Sequence, residues 1–561
     1  MEQALIECVP NFSEGRDQAV IEKILQAITA VEGVTMLNSD PGKATNRTVV
    51  TFAGVPEAVI EGAYRGIKTA TELIDMRKHK GEHPRMGATD VCPLIPLANI
   101  TLKETAEYAK KLAKRVGEEL NIPVYLYEAA ASSEARRNLA VIREGEYEGL
   151  EKKMQRPEWK PDFGPGDFNP RSGATVIGAR DFLIAYNINL NTNSSRIANA
   201  IAFDVREQGR VKRKGHPLLG EIERDEHGEA VRIPGTLKSV KAIGWYIEEY
   251  GIAQISMNLT NINMCSLHKA FDEVVGKAHE RGVRVTGSEI VGMVPRKVLL
   301  EAGSHFIKKQ DRSLGVPEEE ILAVAIRTLG LNDVAVFDPK EKIIEFKLQN
   351  DDAYPLNQLT IRQFADKTGS ESPAPGGGSI SAYVGALGAG LGMMVANLSA
   401  NKRGWEDRVS EFSHWAESGQ EIKESLLKLV DEDTHAFNKV MDALGMAKET
   451  GEEKKRRSEA IEKANLGAAN VPLQVMRKAM GTFPLLREMA EKGNPNSVSD
   501  AAVGALCART AIEGAYYNVR INVGGIKNEQ AKTDLMTEAE NILKQAREAE
   551  KQVLALVDDK M

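Results

Sequence analysis

The sequence predicts an α/β region of two ferredoxin-like subdomains followed by an all-α helical bundle. Three observations predict it. Strand-like and helical runs alternate over about the first 330 residues. The second half of that region reads strand, helix, strand, strand, helix, strand, and the first half begins the same way. From Leu359 onward, apolar residues keep helical spacing with little strand-like alternation.

Taken in order, the first strand is read in Ala4–Val9. Asn11-Phe12-Ser13-Glu14 then precedes an amphipathic helix, Gln18–Ile28, for which Ser13 is a plausible N-cap because its hydroxyl can accept an orphan backbone N–H. Strands follow at Thr35–Leu37 and Arg47–Phe52, then a helix over Pro56–Ile74. After Gly178 a similar order returns: strand Phe182–Ile188, helix Ser194–Glu207, strands Val240–Tyr246 and Gln254–Leu259, helix Ser266–Arg281, strand Val283–Val285. Residues 1–179 and 180–330 are therefore expected to be two related subdomains, joined near Phe168–Arg180. Charges, with Asp351 and Asp352 among them, and the prolines Pro339 and Pro355 weaken the pattern, so 331–357 is expected to be a linker. The helical domain, 358–561, is predicted to hold Ile380–Leu398, Val409–Leu444, Lys454–Met480, Val498–Asn522 and Asp534–Val557, helices well above average length.

The bulk numbers agree with a multidomain globular chain. Its 561 residues exceed what one hydrophobic core organises, and 42% hydrophobic with 27% charged residues leaves no need for a disulfide scaffold. A net charge of -7 argues against a nucleic-acid partner. Cys8, Cys92, Cys265 and Cys507 show no CxxC spacing, which fits a reducing compartment and offers no zinc framework. The opening MEQALIECVPNFSEGRD lacks the basic start and apolar stretch of a secretory signal. No apolar run is read as approaching the ~20 residues that span a bilayer. A cytoplasmic chain without a membrane role is expected.

Five segments carry chemistry. His79-Lys80-Gly81-Glu82-His83-Pro84-Arg85 matches H-x-x-E-H, a zinc-peptidase spacing that needs a continuous helix. Gly81 weakens that helix and Pro84 disfavours helical geometry at His83, so His83 is expected in a loop or at a helix end. There it suits proton transfer near neutral pH, with a plain surface histidine as the alternative. Asp162–Gly173 is rich in turn formers; it reads either as a simple connector or as a loop whose backbone and whose Phe163 and Phe168 meet a flat ligand. Arg210-Val211-Lys212-Arg213-Lys214, followed by Gly215-His216-Pro217, reads as a solvated loop or as a catch for an anionic tail. Pro373-Ala374-Pro375-Gly376-Gly377-Gly378-Ser379 stands before a small-residue helix, where backbone N–H groups bind anions or Ser379 serves as a cap; Gly385, Ala389 and Gly392 suit close helix packing. In Asp431-Glu432-Asp433, Asp433 shares a helical face with Val430 and Phe437 and so points inward, or the three acids form a solvated turn. Ser499-Asp500 reads as a cap.

Several of these segments resemble a known family. Glu7–Gly15, Thr45-Asn46-Arg47-Thr48-Val49, Gly81–Ala88, Asp162-Phe163-Gly164-Pro165 and Gly178-Ala179-Arg180 with Phe182–Leu190 resemble the glutamate formiminotransferases. Ala374–Ser379 and Val430-Asp431-Glu432-Asp433 resemble the cyclodeaminases that accompany them, and the two resemblances together cover nearly the whole chain. The resemblance implies transfer of a formimino group from N-formimino-L-glutamate, a product of histidine breakdown, to N5 of tetrahydrofolate. Closure to 5,10-methenyltetrahydrofolate with loss of ammonia would follow. It implies His83 as the transferase's catalytic residue and Asp433 as the cyclodeaminase's. It implies a folate-contacting loop of Gly164, Pro165, Gly166, Asp167, Phe168, Asn169, Pro170, Arg171, Ser172 and Gly173, of which Gly166 to Asn169 depart from the family pattern. No metal is implied. The folate would often carry a polyglutamate tail, for which Lys212, Arg213 and Lys214 are candidate anchors, and a homo-oligomer is expected.

Overall fold

The computed structural model describes residues 3–43, 45–81, 83–215, 220–348 and 355–561. They fall into two compact units, Met1–Glu301 with Ile326–Leu348, and Ala302–Ala325 with Gln349–Met561.

The first unit holds two sheets. In the larger, β1 (Leu5–Cys8) and β2 (Asn11–Phe12) are two halves of one path, interrupted at Val9-Pro10 where proline has no N–H to give a ladder. Both halves lie between β4 (Arg47–Gly54) and β5 (Thr89–Ala98), antiparallel to each, and β3 (Val34–Gly42) pairs outside β4. That order of four strands, with α1 (Gln18–Thr29) and α2 (Pro56–Leu73) as crossovers, is the ferredoxin-like arrangement. The helices cover the face bearing Ile6, Cys8, Val50 and Phe52.

The sheet then continues beyond that plan. After α3 (Leu102–Leu120), β6 (Val124–Glu128) and β7 (Thr175–Ala179) add in parallel, with β7 between β5 and β6. The stretch expected to join the subdomains is thus an interior strand of the first. All five residues of β7 are buried, so it lacks the alternation by which a half-exposed strand is recognised. On the opposite face, α4 (Leu139–Arg143) and α5 (Glu146–Met154) cover Tyr125, Tyr127 and Val176. A second patch there joins Leu37 and Ala53 to Ile344.

The smaller sheet has the antiparallel order β11 (Val240–Ile247), β12 (Ile252–Leu259), β8 (Ile184–Leu190), β13 (Val285–Val291), again ferredoxin-like, with α6 (Ser195–Val205) and α7 (Leu267–His279) as crossovers. A short hairpin, β9 (Arg210–Val211) and β10 (Arg232–Ile233), is inserted after α6. The face away from the helices is polar: Trp245 Nε1 donates to Gln254 (3.1 Å), Gln254 Nε2 to Asn189 (2.7 Å), and Asn189 Nδ2 to Asp333 (2.8 Å). α8 (Arg296–Lys308) and α9 (Glu318–Leu329) follow. Inside the expected linker, α10 (Pro339–Lys342) and α11 (Ile344–Leu348) form in the first unit, whereas Asp351 and Asp352 lie outside the described residues.

The second unit is helical: α12 (Ile361–Thr368), α13 (Gly377–Ala400), α14 (Val409–Gly445), α15 (Gly451–Met480), α16 (Thr482–Lys492), α17 (Val498–Val523) and α18 (Glu529–Asp558). Here one expectation fails. α13 runs 24 residues without a charge and is long and apolar enough, by length and composition, to cross a membrane. Its small residues explain the composition. Gly385 packs against Ala511, Gly388 against Gly504, and Gly392 against Leu485, letting α13 approach α14, α16 and α17 closely. A bundle's central helix and a membrane span share this signature.

Two expected caps also change. α1 is capped by Asp17, whose carboxylate accepts from the Ala19 and Val20 amides, while the buried Ser13 hydroxyl donates to Gly87 O (2.7 Å). Ser499 and Asp500 lie within the first turn of α17, which starts at Val498.

Candidate active sites

His83 lies in an irregular segment between α2 and β5. That segment is held by its other histidine. His79 Nε2 donates to Asn46 O (2.9 Å) and its Nδ1 accepts from Arg85 Nε (3.3 Å), so both ring nitrogens are in use. Asn46, in left-handed conformation, returns Nδ2 to Lys80 O and receives the Gly15 amide. Arg85 is in turn clamped by Glu146 and Glu148. His79 is therefore a brace, and the zinc reading loses its first ligand to ordinary hydrogen bonds. Glu82 lies outside the described residues.

The His83 ring is half-buried, with Nδ1 against Pro84 O (2.7 Å) and both ring nitrogens beside Arg47 Nη1. Burial, then the Arg47 charge, holds its pKa below the ordinary 6.5. Both effects favour the neutral imidazole, the form that can take a proton. Arg47 is itself fixed by Asn11 Oδ1, which accepts from its Nε (3.1 Å) and Nη2 (2.5 Å). Asp90, at the start of β5, pairs with Arg143 at the end of α4 and accepts the Met86 amide (3.1 Å). Both charges contribute to the field at His83.

Asp433 lies on α14 where α13 begins. Its Oδ2 accepts the Ser379 amide (3.0 Å) and the Ser379 hydroxyl (3.3 Å), and that hydroxyl also donates to Val430 O (2.8 Å). Ser379 is therefore not the cap of α13, whose N-cap is Gly376. A Cβ at Gly378 would overlap Asp433 Oδ1, so only glycine lets the helix start this close to the carboxylate. Next to it, Asn518 of α17 flanks Gly377. Burial raises the Asp433 pKa, and the two Ser379 bonds pull it back. The carboxylate faces the positive end of a 24-residue helix, which also favours its charge.

With this geometry in view, similarity to known proteins decides the family. Residues 5–180 match the formiminotransferase domain, N-terminal subdomain; 185–349 match the formiminotransferase domain; 360–541 match formiminotransferase-cyclodeaminase. The formimidoyltransferase-cyclodeaminase of Dictyostelium discoideum is 42% identical over 99% of both chains. The chain belongs to the formiminotransferase-cyclodeaminase family. The glutamate formimidoyltransferase of Streptococcus pyogenes is 39% identical over 55% of this chain and 94% of its own. The methenyltetrahydrofolate cyclohydrolase of Methylorubrum extorquens is 33% identical over 36% of this chain and 97% of its own.

In the formiminotransferase half, the loop from Gly164 to Gly173 runs from the end of α3 to the segment after His83. Gly173, at φ +66°, bridges to Gly87, and a Cβ there would strike Met86 O. Met76 N donates to Arg171 O and Ala88 N to Ser172 O, so the loop's end is laced to the chain on both sides of His83. The Asn169 carboxamide accepts the Arg171 and Ser172 amides (3.1 Å each). Its aromatics have other work. Phe163 packs on the main core, and Phe168 sits against Tyr147 with ring centroids 5.5 Å apart. Gly164, Gly166, Asp167, Pro170 and Arg171 remain exposed, and Pro165 partly so.

The basic run is mostly engaged. Arg210 pairs with Asp204, Lys212 with Glu223 (3.0 Å), and Arg213 donates to Gly220 O (2.9 Å). His216 and Pro217 lie outside the described residues. Sequence reasoning missed Asn11, Asp90 and Arg143, and assigned Arg47 no role. Each lies at or next to the end of a mostly apolar strand or short helix, and only folding brings them near His83.

Proposed function

We propose that the first unit carries the transferase through His83 and that the helical unit carries ring closure through Asp433. The chain is a bifunctional folate enzyme of histidine degradation: it transfers the formimino group of N-formimino-L-glutamate to N5 of tetrahydrofolate, then forms 5,10-methenyltetrahydrofolate with release of ammonia.

The observation that carries the first assignment is an imidazole held against a guanidinium, whose charge favours the neutral ring. N5 attacks the formimino carbon and gives a tetrahedral adduct. His83 takes the N5 proton and returns it to the departing glutamate nitrogen, one group alternating between base and acid. Arg47 keeps the resting imidazole unprotonated, and its charge draws in a substrate bearing two carboxylates. The loop from Gly164 to Gly173 contacts the folate through its exposed backbone and Arg171, rather than through stacked aromatics. In the second site, N10 attacks the carbon of the protonated formimino group, Asp433 receives the N10 proton and returns it to the amino nitrogen, and ammonia leaves with the carboxylate ionised again. The carboxylate also offsets the charge of the cationic product. Neither step routes through a metal.

The folate is read as polyglutamylated, a form whose anionic tail suits exposed lysines such as Lys214. A homo-oligomer in the cytoplasm completes the reading. Exposed Leu387, Met394 and Leu398 on α13, with Val503 and Leu506 on α17, offer apolar surface for a second copy, and the four cysteines are free thiols.

The test is an absorbance assay with formiminoglutamate and tetrahydrofolate, with ammonia quantified. Methenyltetrahydrofolate and ammonia appear in equal amounts. His83→Ala abolishes formiminoglutamate consumption, lowering the rate about 10²–10⁴-fold, yet still closes supplied 5-formiminotetrahydrofolate. Retention of full transfer by a folded His83→Ala variant overturns that role.

A further inference from the structure

Glu7 is a buried charge for which the mechanism above has no use. It lies on β1 opposite Ala53 of β4 and Ile95 of β5, and only 5% of it is exposed. No hydrogen bond to its carboxylate is found among the described residues, although a buried carboxylate without a partner is costly. Arg180 at the end of β7 and Glu345 of α11 are the charges close enough to act on it. Burial outweighs Arg180 and pushes its pKa up to about 7.

Its position relates it to the transferase site. Glu7 shares a face with Ala53, Asn11 shares one with Val49, and Ala53, Val49 and Arg47 alternate onto the same side of β4. Glu7, Asn11 and Arg47 therefore stand on one sheet face, opposite the α1 and α2 layer, and Arg47 touches His83. Asn11 follows Glu7 by four positions of extended chain, about 13 Å at most.

We propose that Glu7 is a substrate-binding residue of the transferase site, receiving the paired N3–H and 2-amino N–H donors of the tetrahydrofolate pterin while N5 reacts beside His83. The choice of ligand follows from chemistry and rests on the proposed function. The amidine of formiminoglutamate must be at His83, and its other ends are carboxylates, which an anionic Glu7 repels. The pterin's aminopyrimidine edge presents two parallel N–H groups that match a carboxylate's two oxygens, a charge-assisted, bidentate pairing. The fused ring spans the interval between that edge and N5. Two donors arriving together satisfy the orphan carboxylate and restore its ionised form.

The test uses the full chain and follows glutamate release. Expected for Glu7→Gln is a KM for tetrahydrofolate raised tenfold or more, with the KM for formiminoglutamate and closure of supplied 5-formiminotetrahydrofolate unchanged. Wild type should discriminate at least tenfold against a tetrahydrofolate with methyl in place of the 2-amino group, and Glu7→Gln should lose that discrimination. A merely structural Glu7 moves neither ratio. Gln removes an unpartnered buried charge, so the variant is expected to fold at least as stably as wild type, checked by thermal melting. Should it not fold, Glu7→Asp, which keeps the charge but shortens its reach, is read for the same discrimination. Wild-type indifference to the 2-amino group, or a folded variant with unchanged tetrahydrofolate KM and discrimination, overturns the proposal. If wild type releases no glutamate at all, the proposed function fails first.

Discussion

Asp431 and Asp433 lie two residues apart on α14 and serve opposite neighbours. Asp431 is buried and accepts the amides of Leu356 (2.8 Å) and Asn357 (3.2 Å), anchoring the chain that leads into the helical unit. Asp433, about 200° further around the helix, accepts Ser379 at the start of α13. One carboxylate is a fastening and the other is the proposed catalytic group.

Asp433→Asn should therefore reduce ring closure about 10²–10⁴-fold and leave transfer intact. Because burial raises the Asp433 pKa, its stabilising form is the protonated one, and that contribution is lost as pH rises through the folded pKa. The neutral Asn variant should thus be no less stable than wild type at pH 7, as thermal melting will report. Asp431→Ala should do the reverse, costing about 1–3 kcal/mol by stranding two amides while the remaining folded enzyme closes the ring normally.

Gly378→Ala places a Cβ on Asp433 Oδ1. Displacing a catalytic carboxylate by about 1 Å costs on the order of a hundredfold, so ring closure should fall by that amount. The variant should accumulate formiminotetrahydrofolate, detectable as glutamate release without ammonia.

The transferase should lose activity on acidification as His83 takes a proton, with a midpoint below the ordinary 6.5, because burial and Arg47 both oppose the cation. Arg47→Gln removes one of those causes. The acid limb of its kcat/KM profile should move upward toward 6.5, beyond any loss of rate. An unmoved limb would show that Arg47 does not tune the histidine.

Arg143→Met leaves Asp90, 1% exposed, as a buried charge without its partner. A loss of about 3–5 kcal/mol is expected, read as transferase inactivation at lower urea. The double variant Asp90→Leu, Arg143→Met should recover much of it, since the uncompensated charge rather than the missing pair carries the cost.

Much of the fold was legible because period alone reports it. Strands such as Arg47–Gly54 and Val240–Ile247, and α14, α15 and α17, lie within a few residues of their predicted bounds. Where neither period nor flanking residues discriminate, reading failed. β7 is buried throughout and resembles a connector after a glycine- and proline-rich loop. α13 has no polar face to mark it as a bundle helix. Ser13 has the chemistry of a cap, but Asp17 stands one residue before the helix and takes the amides.

By itself the sequence determined the two classes of architecture, the order of the elements and, through short motifs such as Gly81–Ala88 and Val430–Asp433, the two residues proposed to carry the chemistry. Those are local properties: hydrophobic period, turn residues and contiguous motifs survive in one dimension. Only the tertiary structure decided that His79 is a brace while His83 faces Arg47, that Asp431 fastens while Asp433 meets Ser379, and that Glu7 is buried with no hydrogen bond to its carboxylate among the described residues. Charge, burial and hydrogen bonding act through space, between residues such as Asn11, Arg47 and His83 that the chain separates by 36 positions at each step. No window along the sequence contains them together.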